Sequence, residues 1–304
     1  MSRPLPVATV LATAEQPAAL WESLPVYSSP EDAVLAVAGM ADHAAWRRRT
    51  ATPRQPLSPP PRPDDAARLL ARCLDDGPGW LKPEDAADLG RCYGLTIIET
   101  RTASSVSDCI RLAAEIGFPV VVKAVSRTLL HKTDAGGVRL RLGREDVEEA
   151  AETIVASVGR AGHVLEGFLV QPMAAGAEVL VGITQDPNVG PLVVVAAGGV
   201  AAELVGDVAV RIAPVDPREA GEMLRSLKTY PLLDGYRGAP KGDVGALQDL
   251  VARVSALAAA HPEILELDAN PVVVSGDGVQ IVDLRARVAS VAPRAPVSSM
   301  QADA

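Results

Sequence analysis

Between Val120 and Val138 the chain reads VVVKAVSRTLLHKTDAGGV: a run of valines closed by Lys123, then a polar loop holding His131, Lys132, Asp134 and the pair Gly136-Gly137. Those residue types suit an anion. Glycines lack a Cβ, so the backbone can take positive φ and bring its N–H groups up to phosphate oxygens. Lys123 and Lys132 can supply point charges to the same anion, and the imidazole of His131 is able to carry a proton or a phosphoryl group near neutral pH. Asp134 could orient that imidazole so that one ring nitrogen stays unprotonated and nucleophilic. Each residue also has a plainer reading: a strand-end lysine is commonly a surface group, and a lone loop histidine commonly makes an ordinary backbone hydrogen bond. Convergence favours phosphoryl chemistry, because histidine, lysine, aspartate and two glycines fall within seven residues.

Asn270 and Asp283 form a second constellation. Mg²⁺ prefers hard oxygen ligands in octahedral geometry and commonly takes one or two from protein, with phosphate and water completing the shell. Between the two residues lie the strands Val272–Ser275 and Val279–Val282, joined at Gly276-Asp277-Gly278. If the turn is the two-residue Gly276-Asp277, parity puts Asn270 and Asp283 on one face of adjacent strands, about 5 Å apart at Cβ. An odd-length loop would separate them. A turn-forming Asn-Pro and a strand-end aspartate account for the same residues without a metal.

These residues need strands and helices to hold them, and the pattern supplies both. Val7–Leu11 and Pro25-Val26-Tyr27 read as extended, and Ser29 caps a helix with Pro30 at its first position and acids in its first turn. Pro53–Pro63 (PRQPLSPPPRP) is proline-dense, an extended linker reaching roughly 30 Å if polyproline-like. Helices follow from Asp64, Pro83 and Ser105, with strands at Leu95–Thr100 and Val120–Ala124; alternating helix and strand favour a layered α/β arrangement. Val138–Leu142 (VRLRL) reads as a strand with Arg139 and Arg141 on one solvated or anion-facing side. A charged helix, Glu145–Val158, comes next. Phe168–Met173, Glu178–Thr184 and Leu192–Ala196 are closely spaced strands, which suggests antiparallel pairing. Asp216 opens a capped helix, and a long helix spans Val244–Ala260 before Ile264–Asp268.

Composition narrows the function classes. The 304 residues are 48% hydrophobic but only 3% aromatic, so the core is expected to be aliphatic. A formal net charge of -9 without a Lys/Arg block argues against nucleic acid or an acidic membrane as partner, and requires any nucleotide to be held by a local cationic cluster. Cys73, Cys92 and Cys109 lack metal-ligand spacing and read as free thiols in a reducing compartment. No run reaches the ~20 apolar residues of a membrane helix, and the expected location is cytoplasmic.

The segments GFPVVVKAVSRTLLHKTDAGGVRLRL, ELDANPVVV and VDLRARV together resemble the ATP-grasp domain of NDP-forming (ADP-forming) acyl-CoA synthetases, relatives of the succinyl-CoA synthetase β subunit, over about Asp64 to Val288. HKTDAGG and ELDANP are the most specific pieces. The resemblance implies an α/β (α+β) ATP-grasp fold of two subdomains clamping ATP or ADP with Mg²⁺. It makes Lys123 a nucleotide-phosphate ligand, His131 a transient phosphohistidine, and Asn270 and Asp283 metal ligands with Glu266, Asp268 and Arg285 behind them. FLVQPM followed by Glu178 is similar to the strand and hinge against which such proteins lay adenine; Pro172 has no N–H, so the contact falls to Gln171 or to neighbouring main chain at Met173. Glu203 sits where relatives carry an acid near the phosphates. LPVYSSPEDAVLAV and AAWRRR look like the last strand and helix of a CoA-ligase domain.

The domains expected on that basis are a terminal piece of a CoA-ligase-like domain at 1–50, a linker at 51–63, an ATP-grasp domain at 64–290 and a disordered tail at 291–304. The implied function is that of the ATP-binding, phosphoryl-transferring component of an ADP-forming acyl-CoA ligase. The sequence departs from a complete enzyme in lacking a CoA-binding Rossmann half and most of the ligase domain, so a CoA-binding α-type subunit or domain is the expected partner. Two alternatives stay open: a nucleotide-sensing ATP-grasp module without turnover, and an ATP-grasp carboxylate-amine ligase. Neither the acid substrate, nor ATP against GTP, nor the oligomeric state is legible.

Overall fold

Ser29 begins the first long helix as expected, its hydroxyl accepting from the Asp32 N–H at 3.1 Å. That helix, α1 (Pro30–Thr50), has Ala33 buried and lies beside a short parallel pair, β1 (Thr9–Val10) and β2 (Val26–Tyr27). The computed structural model describes residues 9–10, 25–27, 29–50, 56–126, 128–129, 135–199 and 206–290, and the chain divides into two units, Met1–Pro56 and Leu57–Ala304.

The second unit is built on two antiparallel sheets, each hidden on one face by helices. The smaller has strand order β4 (Arg101–Ala103), β7 (Gly167–Pro172), β5 (Val120–Val125), β6 (Val138–Leu142). Val120, Val122 and Ala124 of β5 are wholly buried under α4 (Val106–Ile116) and α5 (Val147–Arg160). Ser105 caps α4 by accepting from the Asp108 N–H at 3.1 Å. Period two then sends Val121 and Lys123 to the opposite face.

The larger sheet has the order β10 (Val208–Ile212), β9 (Gly190–Ala197), β8 (Ala177–Asp186), β11 (Ile264–Ser275), β13 (Leu284–Val288), β3 (Gly79–Trp80), with β12 (Gly278–Ile281) paired to β11. Val179, Val181 and Ile183 point into an aliphatic core shared with α2 (Pro63–Asp75), α3 (Pro83–Cys92), α6 (Pro217–Ser226), the one-turn α7 (Tyr230–Leu233) and α8 (Val244–Ala260). Asp216 closes a full capping box at the start of α6, accepting from the Glu219 N–H at 2.8 Å.

Two expected strands are corrected. Leu95–Thr100 is extended but does not form a strand of its own: Ile97 makes one isolated bridge to Ile281, and pairing in the smaller sheet starts at Arg101. The segment crosses from one sheet to the other, with Leu95 and Ile98 buried on the way. VRLRL is a strand but not a clean alternation. Its register with β5 slips between Val120 and Val122, and Arg141 takes φ 57°, so a bulge separates Arg139 and Arg141 and no common anion-facing side forms.

Cys92 and Cys109 are buried and Cys73 half-buried, all as free thiols. Burial raises all three pKa values, that of Cys109 to about 11. Among the described residues no helix is long and apolar enough to cross a membrane.

Candidate functional site

Lys123 is half-buried on the helix-free face of the smaller sheet, between Val138 and Leu169 in the ladder. The returning limb of its loop is fixed where the glycines stand. The Gly137 carbonyl accepts from the Ala124 N–H at 2.7 Å, and the Gly136 carbonyl accepts from Arg139 Nη1 at 2.9 Å. Gly136 has φ 67°, and a Cβ there would lie 3.3 Å from Ser157. The positive φ favours glycine, and a Cβ would also require the Ser157 side chain to yield by a few tenths of an ångström. Gly137 is not among the positive-φ glycines, so the left-handed conformation allowed for the pair is used at one of them. On the outgoing limb, Thr128 Oγ1 hydrogen-bonds His163 Nδ1 at 2.9 Å, a contact of a histidine to which the sequence reading gave no role. His131, Lys132, Asp134 and Glu203 lie outside the described residues.

Asn270 and Asp283 face each other across the larger sheet. The turn is the two-residue Gly276-Asp277, with Ser275 opposite Gly278 and Val272 opposite Ile281. The same register continues into β13, where Ala269 faces Leu284 and Asp268 faces Arg285. Asn270 N–H donates to the Asp283 carbonyl at 3.0 Å, so the even-loop parity holds. Because Leu267, Ala269 and Leu284 are buried in the core, Asp268, Asn270 and Asp283 lie on the face that the helices leave open.

Burial pushes the Asp268 carboxyl above its ordinary range and the Asp283 charge adds to this, while Arg285 pulls the other way. Arg285 Nε stands 3.8 Å from Asp283 Oδ2. Among the described residues no three His, Cys, Asp or Glu side chains cluster closely enough to cage an ion by themselves. One carboxylate and one amide oxygen fit Mg²⁺ that takes its remaining ligands from phosphate and water.

Glu178 is exposed on the same open face, alternating with buried Val179. Its carbonyl accepts from the Gly198 N–H at 2.9 Å, and a Cβ on Gly198 would come within 2.5 Å of the Glu178 carbonyl carbon. Gly198 is therefore demanded by close backbone approach. Met173 N–H is spent on the Pro119 carbonyl at 2.9 Å, which removes it as a main-chain donor to a base. Met173 instead lines a cleft of about 600 Å³ with Ala174, Asp243, Arg253 and Gln280, and Lys123, Asn270 and Asp283 are not part of that lining.

Gln171 joins the two halves. It lies opposite Val121, on the Lys123 face of β5, and the residue is 3% exposed. Its Nε2 donates to Thr100 Oγ1 at 2.7 Å and to the Val282 carbonyl, the residue before Asp283, at 3.2 Å. These partners lie 71 and 111 residues away in sequence, so local pattern gave no signal for them.

The family model described as ATP-grasp domain matches residues 72–288. An acetate–CoA ligase (ADP-forming) I of Archaeoglobus fulgidus is 40% identical over 225 residues, 73% of this chain; the chain spans only 33% of that relative's length. The β subunit of acetate–CoA ligase (ADP-forming) I of Pyrococcus furiosus is 37% identical over 224 residues, covering 72% of this chain and 96% of the subunit. A solved acetyl-coenzyme A synthetase 1 chain of Ca. Korarchaeum cryptofilum, in complex with coenzyme A and Ca-AMPCP, superposes with a TM-score of 0.68 at 35% identity, covering 73% of this chain and 99% of that one. Motif, topology and relatives agree: the chain belongs to the ATP-grasp family, of the β-subunit type found in ADP-forming acyl-CoA synthetases.

Proposed function

We propose that the chain is the nucleotide-binding, phosphoryl-transferring component of an ADP-forming acyl-CoA synthetase, which converts ATP, a carboxylate and CoA to acyl-CoA, ADP and phosphate. The observation that carries this reading is the pair Asn270 and Asp283, opposed on an open sheet face and tied through Gln171 to the strand of Lys123. A CoA-binding α-type subunit or domain acts with it, in keeping with the β-subunit relatives, and the location is cytoplasmic. The domain limits drawn from the sequence, with an ATP-grasp body at 64–290 behind a ligase-type end-piece and linker, belong to the same reading.

Lys123 and the Gly136-Gly137 backbone hold phosphate oxygens, Gln171 and the main chain near Met173 meet the base, and Glu178 and Glu203 border the nucleotide. Asn270 and Asp283 would hold Mg²⁺, which when bound neutralises phosphate charge. A ring nitrogen of His131 attacks the γ-phosphorus, the bond to the β-phosphate oxygen breaks, and ADP leaves with that electron pair. Lys132 offsets charge on the transferred group, and Asp134 holds the proton on the other ring nitrogen. Positioning and charge neutralisation dominate such a transfer.

The test is incubation of the full chain with γ-labelled ATP and Mg²⁺. Acid-labile, alkali-stable label on the protein, absent in His131→Ala, is the expected result. Saturable nucleotide binding without label would mark a sensor instead, and activity unchanged in His131→Ala would point to a carboxylate-amine ligase.

A further inference from the structure

The two segments that connect the sheets share a cleft. Leu95 and Thr96 line it where the chain crosses to the smaller sheet, and Met173, Ala174 and Ala175 line it where the chain returns between β7 and β8. Its volume of about 600 Å³ falls in the range of small-molecule sites, roughly 300–1,000 Å³. It is separate from the nucleotide site proposed above. Lys123, Gln171, Glu178, Asn270 and Asp283 are absent from its lining, and Asp249, Leu250 and Arg253 reach it from α8, which covers the larger sheet on the side away from Asn270 and Asp283.

The charges in this cleft favour a cation. Asp243, Asp249 and Asp277 line it, against Arg253 as the single cation among the described residues. Arg253 is already committed: Nε pairs with Asp249, and three further donor contacts go to the Ser58, Pro59 and Tyr93 carbonyls. Asp249 is thereby neutralised, while Asp243 and Asp277 have no cationic partner among the described residues. Ser275 brings those two residues to one end of the cleft, its carbonyl accepting from the Asp243 N–H at 2.7 Å and its hydroxyl from the Asp277 N–H at 3.2 Å. Asp243 Oδ1 caps α8 by accepting from the Ala246 N–H at 2.9 Å, which answers the positive end of the helix and leaves Oδ2 for a ligand. Much of the remaining lining is apolar, with Leu95, Met173, Leu250 and Val279. Two carboxylates beside an aliphatic wall match an ammonium on a hydrocarbon chain and repel a phosphate or carboxylate.

We infer that this cleft binds a primary alkylamine as its ammonium ion, with the nitrogen donating to Asp243 and Asp277 and the chain lying against Leu95, Met173 and Val279. One small molecule then bridges both connections between the sheets.

Titration calorimetry of the full chain with hexylamine, hexanol and hexanoate tests this, since the three share a chain length and carry cationic, neutral and anionic heads at neutral pH. Hexylamine should bind saturably, hexanol about 10-fold more weakly, and hexanoate not measurably. Asp277→Asn and Asp243→Ser, the second of which keeps a helix cap, should each weaken hexylamine about 10-fold and leave hexanol unchanged, a pattern that general loss of structure would not give. Hydrogen exchange with hexylamine bound should slow at residues 94–96 and 173–175 together. Equal affinities for hexylamine and hexanol in the unaltered chain, which needs no variant to fold, would make the cleft a plain apolar groove and overturn the inference. Absence of saturable hexylamine binding, unchanged affinity in both variants, or slowed exchange only elsewhere overturns it as well. No nucleotide enters these measurements, so their failure leaves the proposed function untouched.

Discussion

Tyr93 and His261 stand 168 residues apart in sequence and share a hydrogen bond of 2.9 Å inside the core. Burial pushes the Tyr93 phenol up to about 12, so its O–H stays intact at neutral pH and can donate to His261 Nε2 when the ring proton sits on Nδ1. Burial also holds the His261 imidazole below its ordinary 6.5, with Glu263 opposing. Above 6.5 the ring is neutral in both folded and unfolded chains and pH has no leverage. As pH falls below 6.5 the unfolded chain binds the proton first, so stability is lost from there down to the depressed folded value. Urea unfolding at pH 8 and pH 5.5 should show that loss, and His261→Leu should flatten it. At pH 8, Tyr93→Phe leaves Nε2 buried without its partner and should cost about 1–3 kcal/mol. An equal acid-side slope in His261→Leu would show that other groups carry it. The sequence reading assigned His261 nothing, because a histidine following an apolar helix looks the same whether or not a distant phenol reaches it.

The hinge from β7 to β8 depends on one small residue. A Cβ on Gly176 would lie inside the contact shell of the Val274 carbonyl oxygen and 2.7 Å from its carbon, and backbone cannot step aside as a side-chain tip can. Gly176→Ala should therefore destabilise by about 1–3 kcal/mol in urea unfolding and shift the start of β8, which carries Glu178, away from β11. Wild-type stability in that variant would mean the hinge is loose enough to absorb a methyl. Among elements, those whose partners are local were legible: Val244–Ala260 matches its expected span, and the caps at Ser29, Ser105 and Asp216 form as their residue types predict. The hairpin parity was legible only as a condition: sequence left the loop length open, and the two-residue turn is what puts Asn270 and Asp283 on one face. The bulge at Arg141 and the crossing path of Leu95–Thr100 were not. Both are settled by which distant strand arrives alongside, and alternation within five or six residues holds no record of that.

At the scale of the whole chain, an acidic protein must gather cations locally, and the proline-dense stretch after the N-terminal unit shows how one cation is committed to architecture. From composition Pro53–Pro63 reads as an extended spacer, yet Ser58 and Pro59 are gripped from within the second unit. Arg253, 3% exposed on α8, donates Nη2 to the Ser58 carbonyl at 2.6 Å and Nη1 to those of Pro59 and Tyr93 at 3.0 and 3.1 Å, while its Nε pairs with Asp249 at 2.6 Å. A buried guanidinium is tolerable when its donors are met, and here the proline segment supplies two of the acceptors. Prolines lack the N–H that would need a partner but keep the carbonyl, so such a segment can satisfy a buried cation without exposing new donors. Two shortened chains separate spacer from clasp. One starting at Leu57 keeps both carbonyls and should unfold in urea with the stability of the second unit in the full chain. One starting at Asp64 strands two guanidinium donors in the core and should be less stable by about 1–3 kcal/mol, more if water cannot enter. Arg253→Met should narrow the gap between the two chains, because the carbonyls then have no buried charge to serve. If both shortened chains unfold alike with Arg253 in place, the segment is a tether and its contacts with α8 contribute nothing to the fold.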